Sequence, residues 1–284
     1  MLKLKGYLRY LLVLLMIIAV LTFLGISKGT DGNLEIWVFD VGQGDAILIR
    51  TPNDHQILID GGPDNTILEK LGSTLPFWDK SLDFVVLTHP HADHLSGLVE
   101  VAKRYEVGQF LVSGIGCNNA MCKEWQKELD QDSDKALKIE VGQKITFDDG
   151  VEIEILAPNK AMLQDENLNN TSIVLKLNYK QFDAIFTGDA EIEEQDAILG
   201  EGMELQSEVL KVAHHGSTTG VNQNFYQAIN PEMAVISVGK DNPFGHPHQD
   251  ALELFSGIKI LRTDLLGDIK IWSSPEDYFY KSFN

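Results

Sequence analysis

The sequence is poor in basic residues, has almost no cysteine, and contains no internal repeat or low-complexity tract. Its 284 residues hold 23 lysines and arginines against 42 aspartates and glutamates, a formal charge of −19. Four of the basic residues, Lys3, Lys5, Arg9 and Lys28, lie in the first thirty positions, which contain no acid. The rest therefore sets 19 basic residues against 42 acids, a formal −23. That balance weighs against non-specific attraction to nucleic acid, because counterion release needs lysines and arginines facing phosphates. A local basic groove remains compatible with it, as do bound divalent cations that offset acids at one site. The two cysteines, Cys117 and Cys122, make a weak metal site by themselves. In an exported domain they read most simply as a disulfide closing a small loop, with free thiols or ligation of a separate metal as alternatives.

One long apolar run is present. Tyr10 to Ile26 is interrupted only by Thr22, and extension back to Gly6 brings it near the roughly 20 residues needed to cross a bilayer. The run has no polar face, which argues against a buried core helix, and Arg9 would snorkel to the interface. The segment Phe23-Leu24-Gly25-Ile26-Ser27-Lys28 makes a poor signal cleavage site. The expectation is an uncleaved single-pass anchor in residues 1–30, basic end inside, with a globular domain of residues 31–284 outside the cytoplasm, secreted if the segment is cleaved. A length of 284 residues with 44% hydrophobic content suits one such domain.

Within that domain, Leu82 to Leu87 reads as a buried strand that delivers Thr88-His89-Pro90-His91-Ala92-Asp93-His94 to the start of a helix, Leu95 to Tyr105. Four potential ligands, His89, His91, Asp93 and His94, fall within six positions. Imidazole nitrogen and carboxylate oxygen suit zinc, manganese or iron. Upstream, Leu34 to Phe39, Ala46 to Arg50 and Gln56 to Ile59 read as strands, the last ending in Asp60-Gly61-Gly62. Asp60 is a candidate for orienting a ligand histidine, or for capping its turn. Downstream, Phe182 to Phe186 leads into Thr187-Gly188-Asp189-Ala190, and Val209 to Ala213 into His214-His215-Gly216-Ser217. Asp189 suits a carboxylate bridging two cations. Adjacent side chains diverge in a strand, so one of the histidine pair is expected to bind metal, His215 by preference, while His214 faces substrate. Ser217 is either a substrate contact or a cap. Met233 to Val238 opens into a loop carrying His246 and His248, one of which could hold the scissile group or protonate a leaving oxygen. Ile139 to Val141 and Val151 to Ile155 read as strands, and Ile258 to Arg262 with Asp268 to Trp272 as a closing hairpin.

The His-x-His-x-Asp-His array resembles the signature of the metallo-β-lactamase superfamily, an α/β fold built as a four-layer αββα sandwich with one or two metals at one edge. The order Phe39-Asp40-Val41-Gly42-Gln43-Gly44-Asp45, Leu58-Ile59-Asp60-Gly61-Gly62, the array, Thr187-Gly188-Asp189-Ala190 and Leu210-Lys211-Val212-Ala213-His214-His215-Gly216-Ser217 narrows this resemblance. From Leu34 to Trp272 the chain is similar to the extracytoplasmic domain of the competence proteins that import DNA, the ComEC group, without their multi-helix channel. The resemblance implies two divalent ions, Zn or Mn, one held by His89 and His91, the other by Asp93, His94 and a histidine of the 214–215 pair, with Asp189 between. Roughly 3.5–4 Å apart, such ions activate a water and clamp both oxygens of a displacement. Asp93 would bind metal or steer the nucleophile. In many members a third histidine for the first ion lies where this chain has Asn169-Asn170-Thr171-Ser172, so Asn170 stands as a weaker ligand or substrate contact and the first site is expected to be weak. The implied function is an extracytoplasmic phosphodiesterase or nuclease with nucleic acid as substrate and the membrane as its other partner. The alternatives are hydrolysis of a cell-wall or small-molecule ester, phosphocholine ester or lactam, or a non-catalytic anchored binding module.

Overall fold

The protein is described by a computed structural model over residues 2–26, 32–274 and 277–283, with the side chains at 2–6, 8 and 23–26 outside that description. The expected boundary at residues 30–31 lies outside the described residues. Helix α1 (Leu2–Ile26) opens the chain. Its apolar side chains from Tyr10 to Leu21 are exposed, and Thr22 satisfies its hydroxyl within the helix by donating to the carbonyls of Ile18 and Ala19, both at 2.9 Å. Described side chains run unbroken only from Arg9 to Thr22, and no helix among the described residues is long and apolar enough to cross a membrane.

The first half of the domain runs β1 (Leu34–Val38), β2 (Ile47–Arg50), β3 (Gln56–Ile59), α2 (Thr66–Thr74), β4 (Ser81–Leu87), α3 (Ala92–Arg104), β5 (Glu106–Val112), α4 (Ala120–Gln131) and β6 (Ala136–Lys138). The second half runs β7 (Lys144–Thr146), β8 (Glu152–Ala157), β9 (Val174–Tyr179), β10 (Phe182–Phe186), α5 (Ile192–Glu201), β11 (Val209–Lys211), α6 (Gln223–Ile229), β12 (Met233–Ile236), α7 (Gln249–Leu254), β13 (Lys259–Arg262), α8 (Thr263–Leu266), β14 (Asp268–Ser273) and β15 (Tyr278–Phe283). They form an eight-stranded sheet in the order β15-β14-β1-β2-β3-β4-β5-β6 and a seven-stranded sheet in the order β13-β12-β11-β10-β9-β8-β7.

The layering follows from strands buried on both faces. Ile47, Ile49, Ile57 and Ile59 point inward to a core shared with Ala184, Phe186, Met233 and Val235 of the other sheet. Their alternates Leu48 and Leu58 pack outward against Ile67 and Leu71 of α2, Leu95 and Leu98 of α3 and Trp125 of α4. On the second sheet, Ile185, Ala234 and Ile236 pack outward against Ile198 of α5 and Phe225 and Ile229 of α6. A period of two thus sends each strand's side chains into two different cores, and three cores separate four layers. Between β3 and α3 the backbones nearly touch: Gly61 and Gly97 donate to the carbonyls of His94 (2.8 Å) and Gly62 (3.1 Å), and a Cβ on Gly97 would run into the Gly61 carbonyl.

Two expectations fail. Residues 139–141 form no strand: Ile139 and Val141 donate to the carbonyls of Val112 and Pro158, where the chain passes from one sheet to the other. Nor do the last two expected strands make a hairpin. β13 pairs parallel with β12 in one sheet, and β14 pairs antiparallel with β1 in the other. The apparent turn is α8, whose buried Thr263 ties it to Val238 through Oγ1, accepting from the amide (2.8 Å) and donating to the carbonyl (3.0 Å). The C-terminal residues Tyr278–Phe283 form the edge strand β15, antiparallel to β14.

Glu194 on α5 is buried with neither carboxylate oxygen hydrogen-bonded to a side chain partner. Burial, with Asp165 nearby, pushes its carboxyl well above the ordinary range against the Ser172 amide. A raised folded-state pKa means that the folded chain binds the proton more tightly, so stability from this group is present at low pH and is lost as pH rises through the folded value. Glu194→Gln is expected to leave the melting temperature nearly unchanged at pH 4 and to raise it by about 2–4 °C at pH 8, equivalent to about 1 kcal/mol. Equal shifts at both pH values in thermal unfolding of the metal-free protein would contradict this.

Candidate metal centre

β3, β4 and β5 run parallel in one sheet and β10, β11 and β12 in the other. The loops after β3, β4, β10, β11 and β12 converge at one rim, the usual place for a site in parallel sheets. Asp189 lies at its centre. Its Oδ2 is 3.3 Å from His94 Nε2, 3.6 Å from His215 Nε2, 3.8 Å from His214 Nε2 and 3.9 Å from His89 Nε2. Asp93 Oδ2 lies 3.4 Å from His215 Nε2 and 3.8 Å from His94 Nε2. One ligand atom from each of Asp93, His94, Asp189 and His215 lies within 4.8 Å of all the others. His91 Nδ1 is 3.0 Å from His89 Nε2 on the same rim.

These residues fit divalent cations. His94 Nε2, His215 Nε2 and Asp189 Oδ1 are buried and lack a hydrogen-bond partner, an arrangement costly for polar atoms unless something else engages them. Burial opposes the Asp189 carboxylate, yet His215 and His94 hold it well below the usual range. Asp93 behaves alike: burial raises it, while His215 and His94 more than compensate. Burial lowers His215, but Asp189, Asp45 and Asp93 together push it up to about 9. Such anionic oxygens beside imidazole nitrogens are hard-to-borderline donors, suited to zinc or manganese.

Asp60 sets the orientation of two of the rings. Its Oδ2 is 2.7 Å from His94 Nδ1, and Thr88 donates to it twice, through its amide to Oδ1 (2.8 Å) and its hydroxyl to Oδ2 (2.7 Å). A carboxylate only accepts, so Nδ1 of His94 carries its proton and Nε2 presents a lone pair to the centre. The Thr88 hydroxyl, its proton spent on Asp60, accepts from His89 Nδ1 at 3.1 Å and leaves the lone pair on His89 Nε2, which faces His91 Nδ1 at 3.0 Å. His215 is fixed by the Ser237 carbonyl, 2.9 Å from its Nδ1.

Two buried residues here carried no functional reading in the sequence. Lys211 forms an ion pair with Asp45, donates to the Gly188 carbonyl at 3.0 Å and lies 4.0 Å from Asp189 Oδ1. Asp45 Oδ1 is 3.4 Å from His215 Nδ1. Burial works against the Asp45 carboxylate, but Lys211, His215 and His94 hold it below its usual range. The available signal was a lysine inside the apolar run Val209 to Ala213, since a charge in a buried strand needs a buried partner. Gly44 brings Asp45 in: at φ +142° its backbone approaches Asp93 so closely that a Cβ would strike that carbonyl, which accepts from the Asp45 amide at 3.2 Å.

The histidine doublet does not diverge as expected. β11 ends at Lys211, so the pair lies outside the strand, and His214 (φ 48°, ψ 45°) and His215 (φ 53°, ψ 23°) are both left-handed, followed by Gly216 at φ 80°. Left-handed backbone costs a side-chain-bearing residue about 1–3 kcal/mol, and here it turns both Nε2 atoms toward one Asp189 oxygen. His248 steadies this loop, its Nδ1 accepting from the Thr218 amide (3.1 Å) and its amide donating to Gly216 (2.9 Å). Ser217 caps the next turn through the Thr219 amide (3.3 Å). His246 packs 5.6 Å from the His214 ring and 6.4 Å from the His215 ring. Burial and the neighbouring histidines push it down to about 4, so it is neutral at pH 7 and offers a hydrogen bond rather than a stored proton. Asn170 is engaged by protein on both sides, its Nδ2 donating to Asp165 and its Oδ1 accepting from the Glu191 amide, each at 3.2 Å.

The family model for the metallo-beta-lactamase superfamily matches residues 39–240. The chain is 28% identical over 255 residues to ComE operon protein 3 of Bacillus subtilis, and 30% identical over 250 residues to competence protein ComA of Neisseria gonorrhoeae. These matches cover 83% and 84% of this chain but 32% of either relative, so the chain spans about a third of the curated relatives it matches. Among solved structures, Igni18, a metallo hydrolase from Ignicoccus hospitalis, shares the fold with a TM-score of 0.54 at 17% identity, over 88% of this chain and 100% of that one.

With two rings hanging on Asp60, Asp60→Asn is expected to keep the fold while weakening affinity for zinc by about 10–100-fold, the usual effect of removing an orienting carboxylate. Competition against a chromophoric chelator reads this directly, and wild-type affinity in the variant would remove Asp60 from the orienting role.

Proposed function

This chain belongs to the metallo-beta-lactamase superfamily and is a metal-dependent hydrolase by fold and donor set, and on that premise we propose that it cleaves phosphodiester bonds in DNA or RNA, outside the cytoplasm. The observation that carries the substrate assignment is a cavity of about 380 Å³ beside His89 and Pro90. Lys123, Lys138 and Trp125 line it, and among the described residues no carboxylate does, on a domain otherwise dominated by acids. Two cations and an indole flanking a metal centre suit a nucleotide unit, phosphate against lysine and base against apolar wall. The similarity to competence proteins points the same way.

Bound divalent ions would supply Lewis acidity at this rim and make water nucleophilic near neutral pH. Asp93, His94 and His215 would hold one ion, His89 and His91 the other, with Asp189 shared. Asp60, Thr88 and Ser237 keep imidazole lone pairs aimed inward, so little reorganisation is needed when charge develops. Lys211 and Asp45 hold the Asp189 loop against the His215 loop. His246, neutral and on the rim, can hydrogen-bond a phosphoryl or leaving oxygen.

Two features support the location. Cys117 and Cys122 are joined as a disulfide, with Cα atoms 5.6 Å apart, as an oxidising compartment favours. The apolar sequence run from Tyr10 to Ile26, whose described side chains from Tyr10 to Leu21 are exposed, suits attachment to a membrane.

The test compares a single-stranded oligonucleotide, a chromogenic phosphodiester and a cephalosporin as substrates of the zinc- or manganese-loaded protein. Chelator-sensitive cleavage of the first two is expected, with Lys123→Ala and Lys138→Ala together raising KM about tenfold for the oligonucleotide and leaving the small phosphodiester unchanged. Turnover of the cephalosporin or of carboxylic esters alone would replace this reading with the small-molecule hydrolase.

A further inference from the structure

The first ion has only His89 and His91 as nitrogen donors if its third ligand must come from the segment Asn169 to Ser172. That segment is occupied otherwise. Asn170 accepts from the Glu191 amide, while Asn167 Nδ2 donates to Glu191 Oε2 (2.7 Å) and Asn169 Nδ2 to Glu191 Oε1 (3.0 Å). The Thr219 hydroxyl also donates to Glu191 Oε1, at 2.8 Å. Asn167 and Asn169 therefore hold the Glu191 carboxylate and Asn170 holds its amide.

The gripped carboxylate touches a ring. Glu191 Oε1 is 3.1 Å from His214 Nδ1. Thr219 Oγ1, its proton given to Glu191, accepts from Nδ1 at 3.1 Å, so Nδ1 carries the proton and the lone pair falls on Nε2, 3.8 Å from Asp189 Oδ2. His89 Nε2 lies at 3.9 Å from that same oxygen. The His214 amide donates to Gly188 at 3.2 Å, which ties the doublet to the loop that carries Asp189.

We propose that His214 is the third nitrogen ligand of the first ion, replacing the histidine missing near Asn170, and that Glu191, clamped by Asn167, Asn169 and Thr219, is its positioning residue. The donor set becomes His89, His91, His214 and a shared Asp189 oxygen, three nitrogens and one oxygen, which suits zinc. The doublet then serves both ions, His214 one and His215 the other, and its paired left-handed backbone has a purpose that one ligand would not require. The inference rests on the metal centre and is independent of the substrate.

The test is a titration of the metal-free full chain with zinc alone, read by competition with a chromophoric chelator and by metal content after gel filtration. Wild type is expected to take two equivalents. His214→Asn keeps a residue that tolerates left-handed backbone but is too short to ligate, and it should retain one tight equivalent while the other weakens at least tenfold. Glu191→Gln should weaken that same equivalent with the other unchanged, and His215→Asn should spare it and lose its partner. Thermal unfolding of the metal-free variants identifies any that fail to fold. Two equivalents at wild-type affinity in folded His214→Asn would overturn the proposal, as would a wild type whose zinc depends on His215 and is indifferent to His214. Loss of one ion in His214→Asn alongside no phosphodiester cleavage by wild type would uphold it and reject the substrate reading instead.

Discussion

A carboxylate removed from water is stable only when its lone pairs are filled, and Asp60, fully buried, fills them with the residues that the site needs oriented. The amide and hydroxyl of Thr88 and Nδ1 of His94 converge on its two oxygens. Satisfying the buried charge and aiming the imidazoles are therefore one event. The geometry depends in turn on two glycines: without the near contact of Gly61 and Gly97, α3 would sit too far from β3 for His94 to reach. Packing of a helix on a sheet thus fixes the protonation pattern of a ring.

The ion pair of Lys211 and Asp45 does comparable work between the halves of the chain. Asp45 follows β1 in the first sheet and Lys211 ends β11 in the second, and both are almost inaccessible. A buried pair is weak evidence for stability, because desolvation offsets the attraction. Its value here is register: with Lys211 also bound to the Gly188 carbonyl, the Asp189 loop and the His215 loop cannot slide independently.

Much of this was legible because ligand-bearing residues follow apolar strands, and a strand's end is marked by composition. The runs before Asp60, Thr88, Thr187 and His214 all ended within a few residues of their observed strands. The strand ends could be read on that basis, while the sandwich and the clustering of His89, His94, Asp93, Asp189 and His215 came with the resemblance to the metallo-β-lactamase superfamily. What could not be read was conformation outside regular structure. The divergence rule applies to strands, and the 214–215 pair lies beyond one. The expected hairpin near Gly267 failed because a turn signal says that the chain reverses, while sheet membership is decided by packing many residues away, here by Thr263 against Val238. Asn170 was judged by its position relative to a missing histidine, though its amide serves Glu191.

The small loop closed by Cys117 and Cys122 leans on the array itself, with Cys117 Sγ 3.5 Å from the carbonyl of Pro90, between His89 and His91. The same loop forms one wall of the cavity beside His89. The covalent state of two sulfurs is thereby coupled to the mouth of the centre, and thiol chemistry becomes a preparative variable. Material folded under reducing conditions carries that wall untethered, so its substrate affinity reports on a different entrance from that of the oxidised chain.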